Sequence, residues 1–414
     1  MNMQSKVKKL IGMIQTAPVE WKPLGEVGLL VRGNGLQKKD FTENGVPAIH
    51  YGQIYTYYGN QTDKTLSFVS PELAEKLKKV DKGDVVITNT SENIEDVGKA
   101  LLYLGEEQAV TGGHATIFKP SKEIVGKFFV YFTQTEIFDK AKRKFVKGTK
   151  VIDVSATDMA KIKIPIPPLE TQQKIVKILD KFTELEATLE AELTLRKRQY
   201  RYYRDFLLDF DNQIGGGIAD DYQCRLKDVV WKTLGEVAEY SKNRICSDKL
   251  NEHNYVGVDN LLQNREGKKL SGYVPSEGKM TEYIVNDILI GNIRPYLKKI
   301  WQADCTGGTN GDVLVIRVTD EKVNPKYLYQ VLADDKFFAF NMKHAKGAKM
   351  PRGSKTAIMQ YKIPIPPIPE QEKIVAILDK FDTLTHSVSE GLPHEIALRR
   401  KQYEYYREQL LAFR

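Results

Sequence analysis

The amino-acid sequence predicts a mixed α+β protein in which two similar α/β domains are joined by two long helices forming an antiparallel coiled coil, with a pseudo-two-fold internal repeat. Three observations carry this reading. Residues Lys163 to Phe182 (KIPIPPLETQQKIVKILDKF) recur as Lys362 to Phe381 (KIPIPPIPEQEKIVAILDKF), with 15 of 20 positions identical at an offset of 199. Trp21 to Val27 (WKPLGEV) recurs as Trp231 to Val237 (WKTLGEV) at an offset of 210, so each half begins alike as well as ending alike. Behind each Pro-rich turn the apolar residues fall three or four apart, the spacing of a coiled-coil seam.

These landmarks divide the chain into residues 1–162 (first domain with an N-terminal helix), 163–210 (Pro-rich turn and spacer helix), 211–224 (Gly-rich linker), 225–361 (second domain) and 362–414 (second turn and helix). A chain of 414 residues exceeds one ordinary core. Hydrophobic residues at 41% and charged residues at 28% place it among soluble globular proteins. The apolar run Leu10 to Ile14 is too short for a membrane span or a secretory signal, so a cytoplasmic location is expected. Cys224, Cys246 and Cys305 are widely spaced, which argues against a zinc or disulfide framework. A net charge of +8 and a pI near 9.0 favour an anionic partner, nucleic acid or a membrane surface, although a merely basic protein fits the charge equally well.

Taken in order, Val7, Leu10, Ile11 and Ile14 predict a short helix that caps the first domain. Between Val27 and Lys161, β-like runs at Val85 to Thr88 and Ala115 to Phe118 alternate with helical patterns at Pro71 to Val80 and Val125 to Ala141. The second half offers Asp287 to Ile290 and Val313 to Val318 as strands and Lys326 to Phe340 as a helix. The halves correspond closely at their ends but diverge inside, the pattern expected of two domains that bind different things in equivalent ways.

Proline fixes φ and disfavours helix in the residue before it, so Ile-Pro-Ile-Pro-Pro is an extended, stiff lead-in. The helix after it has a seam at Ile175, Ile178, Phe182, Leu185, Leu189, Leu193, Tyr200, Tyr203, Leu207 and Phe210. Arg196 fills one seam position and a four-residue step at Leu189 reads as a stutter. The length is roughly 40 residues, or about 60 Å. The second copy keeps its seam through Ile374, Ile377, Phe381, Leu384 and Val388, meets Gly391 and Pro393, and resumes at Ile396, Tyr403, Tyr406, Leu410 and Phe413, so a break is expected there. Neither helix can bury its stripe alone, and pairing the two is the simplest solution. Gly215 to Gly217 predicts a flexible linker.

Catalytic signatures are scarce. The sequence has no phosphate-binding G-x-x-x-x-G-K-[ST] loop, no G-x-G-x-x-G after a strand, no H-E-x-x-H, and no Asn/Asp-Pro-Pro-aromatic tetrapeptide of the kind amino-methyltransferases use on a flipped base. Binding features are richer. The first domain offers Tyr51, Gln53 and Tyr55, then Asn89, Thr90, Ser91 and Asn93, then Thr111, Gly112, Gly113 and His114, and the basic loop residues Lys147 and Lys150. The second offers Asn292, Arg294, Tyr296 and Lys298, then Thr309 and Asn310, and the basic residues Lys346, Lys349 and Arg352. Asn and Gln suit adenine edges, while Lys and Arg suit guanine or phosphate. Ordinary turn chemistry remains the plain alternative for each stretch, and a simple polar contact for His114. The basic, Tyr-rich helix ends (Arg196 to Arg204, Arg399 to Arg407) fit a nucleic-acid face, a partner-protein face or a solvated coiled-coil flank.

The two K-I-P-I-P-P…Q-x-K-I-V-x-I-L-D-K-F repeats, the W-K-x-L-G-E-V starts and the T-N-T-S-E-N and V-T-G-G-H stretches resemble the specificity (S) subunit of type I restriction-modification systems. This resemblance spans essentially the whole chain. It implies two target recognition domains, each reading one half of a split, non-palindromic site on double-stranded DNA, and helices that act as spacer and as docking surface for two modification subunits. Those partners would bind S-adenosylmethionine and methylate adenine N6, and restriction subunits would add ATP- and Mg-dependent translocation and cleavage. The chain itself would hold no cofactor or metal, perform no catalysis and touch no membrane. The break at Gly391 departs from an uninterrupted spacer. Two rival readings stay open: a fragment of a single-chain restriction-modification enzyme, and a coiled-coil adaptor that binds no DNA.

A rod of about 60 Å can separate two contacts by at least one DNA turn, about 34–36 Å. Removing or adding four residues near Leu189 should therefore change the number of unread base pairs while leaving both half-sites unaltered. Methylome sequencing that returned an unchanged spacer would contradict the rod as its determinant.

Overall fold

The computed structural model describes residues 11–12, 18–210, 228–387 and 389–413. Val7, Leu10 and Ile14 of the N-terminal cap, the Gly215 to Gly217 linker and Cys224 lie outside the described residues, while Ile11 is helical and packs against the first core. The chain forms two compact units, Met1–Thr188 with Ile396–Arg414, and Leu189–Glu395.

In the first unit a five-stranded sheet runs in the order Gly28–Arg32, Ala115–Pro120, Val85–Thr88, Ala100–Tyr103 and Gln61–Thr62. A four-stranded sheet follows the order Ser67–Val69, Val46–Ile49, Ala109–Thr111 and Lys78–Val80. The second unit repeats the layout with Ala238–Tyr240, Val313–Val318, Ile288–Gly291 and Ile300–Gln302 in one sheet and Arg244–Cys246, Lys279–Tyr283, Gly307–Thr309 and Tyr255–Val256 in the other. Both units share a parallel pair at the same place, Ala109–Thr111 with Val46–Ile49 and Gly307–Thr309 with Tyr255–Val256, and the first adds a second, Gln61–Thr62 with Ala100–Tyr103. The predicted strands at Val85–Thr88 and Val313–Val318 form as read, because their continuous apolar runs are buried.

Three helical readings need correction. Ser70 caps a helix that spans only Pro71–Lys76, and Lys78–Val80 then pairs antiparallel with Ala109–Thr111, so sheet pairing overrides the helical pattern. The pattern from Val125 to Ala141 divides into Gly126–Phe132 and Glu136–Lys142, since the Thr135 hydroxyl caps the second piece by accepting from Phe138 N. Likewise Asp334 restarts the helix between Pro325–Leu332 and Asp335–Lys343, accepting from Lys336 N.

The Pro-rich lead-ins are extended, and they are paired. Lys163–Ile166 runs antiparallel to Glu20–Pro23, placing Pro165 opposite Trp21; Lys362–Ile365 runs antiparallel to Val230–Thr233, placing Pro364 opposite Trp231. Proline is tolerated because each ladder has only two strands. The two recurring sequence landmarks are thus partners in space, and each half closes on itself. A buried glutamine then fastens the helix that follows. Gln172 accepts from Val125 N at 2.8 Å and donates to Glu123 O at 2.9 Å and Pro167 O at 2.8 Å. Gln371 repeats every contact, accepting from Asn324 N at 2.8 Å and donating to Lys322 O and Pro366 O, both at 2.8 Å. An ion pair about two helical turns further on repeats too, Lys127–Asp180 and Lys326–Asp379.

The central helix is continuous over Leu169–Leu207, whereas the second copy is divided into Ile368–His386 and Leu392–Leu411. A Cβ on Gly391 would lie 2.2 Å from Thr383 O, so the chain folds back on the end of the preceding helix in a way only glycine permits. In the first unit Phe182 stacks on Tyr406 at 5.4 Å and Glu186 pairs with Arg400, an antiparallel register with the C-terminal helix. In the second unit Tyr200 and Tyr203 stack on Phe381 at 5.9 and 5.3 Å and Tyr200 lies 6.0 Å from His386, an antiparallel register with Ile368–His386. Ile175, Leu179, Leu410, Leu411 and Phe413 join the first core; Leu207, Leu208, Ile374, Val375 and Leu378 join the second.

Replacing Gln172 or Gln371 with alanine strands one buried backbone donor and two acceptors, and should destabilise its unit by about 2–4 kcal/mol. Exposed Gln173→Ala should stay within about 0.5 kcal/mol. Chemical denaturation of the three variants checks this, and equal midpoints would contradict the clamp.

Candidate nucleic-acid interface

In the first unit, stretches far apart in sequence converge on one patch. Tyr51–Thr56 is a helix rather than the loop its Gly and amide content suggested, because the His50 ring caps it by accepting from Gly52 N at 3.2 Å. Burial pushes the His50 imidazole below its ordinary pKa, and the nearby His114 adds to the shift. Gln53 turns inward, donating to Ser67 Oγ at 2.7 Å. The Tyr51 ring lies 4.5 Å from His50 and 4.9 Å from His114, with Tyr55 at 6.3 Å.

His114 Nδ1 is 3.2 Å from Thr90 Oγ1, and Thr90 donates to Asp153 Oδ1 at 3.0 Å. Thr90–Ser91 is a short strand paired with Ile152–Asp153, and Lys147 and Asp153 exchange backbone hydrogen bonds. The patch therefore collects Tyr51, Tyr55, Thr90, Gly113, His114 and Lys147. Gly112 packs closely on Gly33, where a Cβ would lie 2.2 Å from Gly112 O. Asn89 and Thr111 lie beneath it: Thr111 donates to Ile49 O at 2.8 Å, and the Asn89 side chain is fully buried with neither side-chain amide atom hydrogen-bonded among the described residues. Ser91 is also buried and accepts from Asn93 N at 3.2 Å, leaving Asn93 exposed. Lys150 is exposed, while Lys147 pairs with Asp158 at 2.9 Å, a contact that raises the lysine's pKa. Hydrogen bonds from Lys161, Lys147 and Ser155 hold the Asp158 carboxyl well below the usual range.

The second unit builds the same backbone frame. Asn89 N donates to His114 O and its carbonyl accepts from Val154 N; Asn292 N donates to Asp312 O and its carbonyl accepts from Gly353 N. Lys346 and Arg352 exchange backbone hydrogen bonds as Lys147 and Asp153 do. Arg294 N donates to Pro351 O at 2.7 Å, and Arg352 pairs with Asp312 at 3.1 Å. Asn310 Oδ1 accepts from Asp312 N at 3.1 Å. Arg294, Asn310, Lys346 and Arg352 therefore share one patch, with Asn292 buried beneath it as Asn89 is in the first.

Tyr296 is half exposed, and Lys349 is exposed on the basic loop. Lys298 instead pairs with Asp335 at 2.7 Å, beside Arg265, and burial with that neighbouring charge lowers its pKa. Thr309 is buried and donates to Val256 O, the same place in the frame as Thr111. The two TGG tripeptides are thus offset from each other in space, and Asp312 stands where His114 does.

Arg32, Asp153 and Asp312 were not singled out by sequence reasoning. Arg32 ends a strand and precedes Gly33-Asn34-Gly35, a glycine-rich turn. Among the described residues no group of three or more His, Cys, Asp or Glu could hold a metal ion, and no helix is long and apolar enough to cross a membrane.

Comparison with known proteins agrees with this repeated frame. The family model described as the type I restriction modification DNA specificity domain matches residues 18–195 and again 227–398. The chain is 30% identical over 431 residues to the type I restriction enzyme EcoR124I/EcoR124II specificity subunit of Escherichia coli, covering 100% of this chain and 98% of that one. It is 29% identical to a putative type I restriction enzyme specificity subunit of Haemophilus influenzae, with 97% of each covered. The crystal structure of the S subunit from M. genitalium matches with a TM-score of 0.56 at 15% identity over 96% of both chains. A chain solved in a study of type I restriction-modification complex assembly matches with a TM-score of 0.56 at 16% identity, covering 96% of this chain and 98% of that one. The structural likeness supports the fold and the two family matches, one per repeat, support the kinship: the chain belongs to the specificity subunits of type I restriction-modification systems.

Proposed function

We propose that this chain reads a bipartite, non-palindromic site on double-stranded DNA, one half per unit, for a type I restriction-modification complex. The observation that carries this reading is a shared backbone frame with different side chains. At equivalent positions, Asp153 in one patch is replaced by Arg352 in the other, and His114 by Asp312. Equal frames with unlike donors and acceptors suit two unlike half-sites. Exposed Lys150, Lys346 and Lys349 on the flanking loops suit phosphate contacts, which position a protein on DNA without reading it.

The helices supply the partner faces. Leu195 and Tyr202 on the central helix are 57% and 66% exposed, and Leu398 and Tyr405 on the C-terminal helix are 46% and 60% exposed, at a constant offset of 203. Two copies of one apolar pair fit two copies of one partner, the modification subunit, with restriction subunits joining the complex. Adenine N6 methylation, S-adenosylmethionine, ATP and Mg belong in this reading to the partners. The chain serves in the cytoplasm as their non-catalytic address.

A shift assay of the full chain on duplex DNA should show log affinity falling linearly with log salt. The double variant Lys346→Ala, Lys349→Ala should weaken binding for every sequence and reduce the slope by about 1–2. Affinity that is negligible or independent of salt would mark the chain as an adaptor that binds no DNA.

A further inference from the structure

We propose that Arg32 is a base-reading residue of the first unit and that its target is guanine in the major groove. This inference rests on the DNA-reading function proposed above and deepens it. Arg32 closes the strand Gly28–Arg32 and reaches the patch through Gly113 and Asp153, with its side chain 42% exposed. Its Nε donates to Gly113 O at 2.9 Å and its Nη2 to Asp153 Oδ1 at 2.9 Å. Those two nitrogens form one edge of the planar guanidinium. With that edge occupied, the Nη1–Nη2 end keeps its donors for an outside acceptor pair. Two parallel donors on a rigid plane match O6 and N7 of guanine, the commonest specific contact of this side chain.

Both partners are themselves immobilised, so the guanidinium is aimed before any ligand arrives. Asp153 also accepts from Thr90 Oγ1 at 3.0 Å and lies in a strand paired with Thr90–Ser91. Gly113 follows Gly112, whose backbone packs directly on Gly33, the neighbour of Arg32. Ordering a long side chain in advance lowers the entropy lost on binding. A free surface arginine would have no such support. In the second unit the ion pair is built differently, with the arginine, Arg352, on the loop and the carboxylate, Asp312, beside the strand that begins at Val313.

The test is selection of bound duplexes from a randomised DNA pool by the full chain, followed by sequencing, for the natural protein and for Arg32→Ala, Arg32→Gln and Asp153→Asn. The natural chain is expected to select two blocks of bases. Arg32→Ala should lose about 10- to 100-fold discrimination at one G·C position in one block and leave the other block intact. Arg32→Gln should lose the guanine preference at that same position, with any new preference falling on adenine. Asp153→Asn should blunt the same position less. Unfolding midpoints accompany each variant.

Unchanged base preferences in a folded Arg32→Ala protein, or a uniform loss of affinity for every sequence, would overturn the assignment of Arg32 while leaving the DNA-reading function standing. Selection of no sequence by the natural chain would overturn both.

Discussion

A buried glutamine side chain ties each Pro-rich turn to the domain it leaves, and most of the architecture follows from that tie. The turn supplies carbonyls but, at its prolines, no N–H groups, so it cannot fasten itself to the domain through a regular ladder beyond its paired segment. Gln172 and Gln371 bridge that gap with one acceptor and two donations each. A leucine of similar size would leave a backbone N–H and two carbonyls buried without partners. A directional polar contact thereby fixes the register at which each long helix leaves its domain, alongside the apolar packing of Ile175 and Leu179 in the first core and Ile374 and Leu378 in the second. Lys127–Asp180 and Lys326–Asp379 add a second point of attachment on each helix, and two points define an axis.

On this frame the two patches are free to differ. Backbone hydrogen bonds of Asn89 with His114 and Val154, and of Asn292 with Asp312 and Gly353, position the patch, and these involve no side-chain identity. What changes between units is what the frame displays: rings, a histidine and an Asp153-held arginine in the first; Arg294, Asn310 and an Asp312-held arginine in the second. Separation of positioning from display lets one scaffold present two chemistries. It also accounts for halves that agree at their ends and diverge within.

Much of the fold was legible because the repeat exposes it. Identical residues at an offset of 199 require equivalent positions, and the seam spacing requires helices that bury a shared stripe. The break at Gly391 was legible for the same reason, since glycine and proline two residues apart interrupt any helix. The strand pairing between Trp21 and Pro165 was not, because pairing across more than a hundred residues leaves no local trace. The helix at Tyr51–Thr56 was missed because its cap is a histidine ring, outside the usual Ser, Thr, Asp and Asn signal. At the candidate site, residue type located the right stretches but not which side chains face outward. Thr111 and Thr309 turn in to bond a parallel strand, and Arg32 enters the patch from a strand whose pattern marks it only as polar.

The central claim is that this chain supplies the sequence address for adenine methylation through two unlike half-sites. Mapping N6-methyladenine across the source genome, with the chain present and with its gene deleted, tests it most directly. One methylated motif of two short unlike blocks separated by a fixed gap is expected, lost entirely when the chain is absent. A methylation pattern that persists without the chain, or a motif that is contiguous or palindromic, would contradict it.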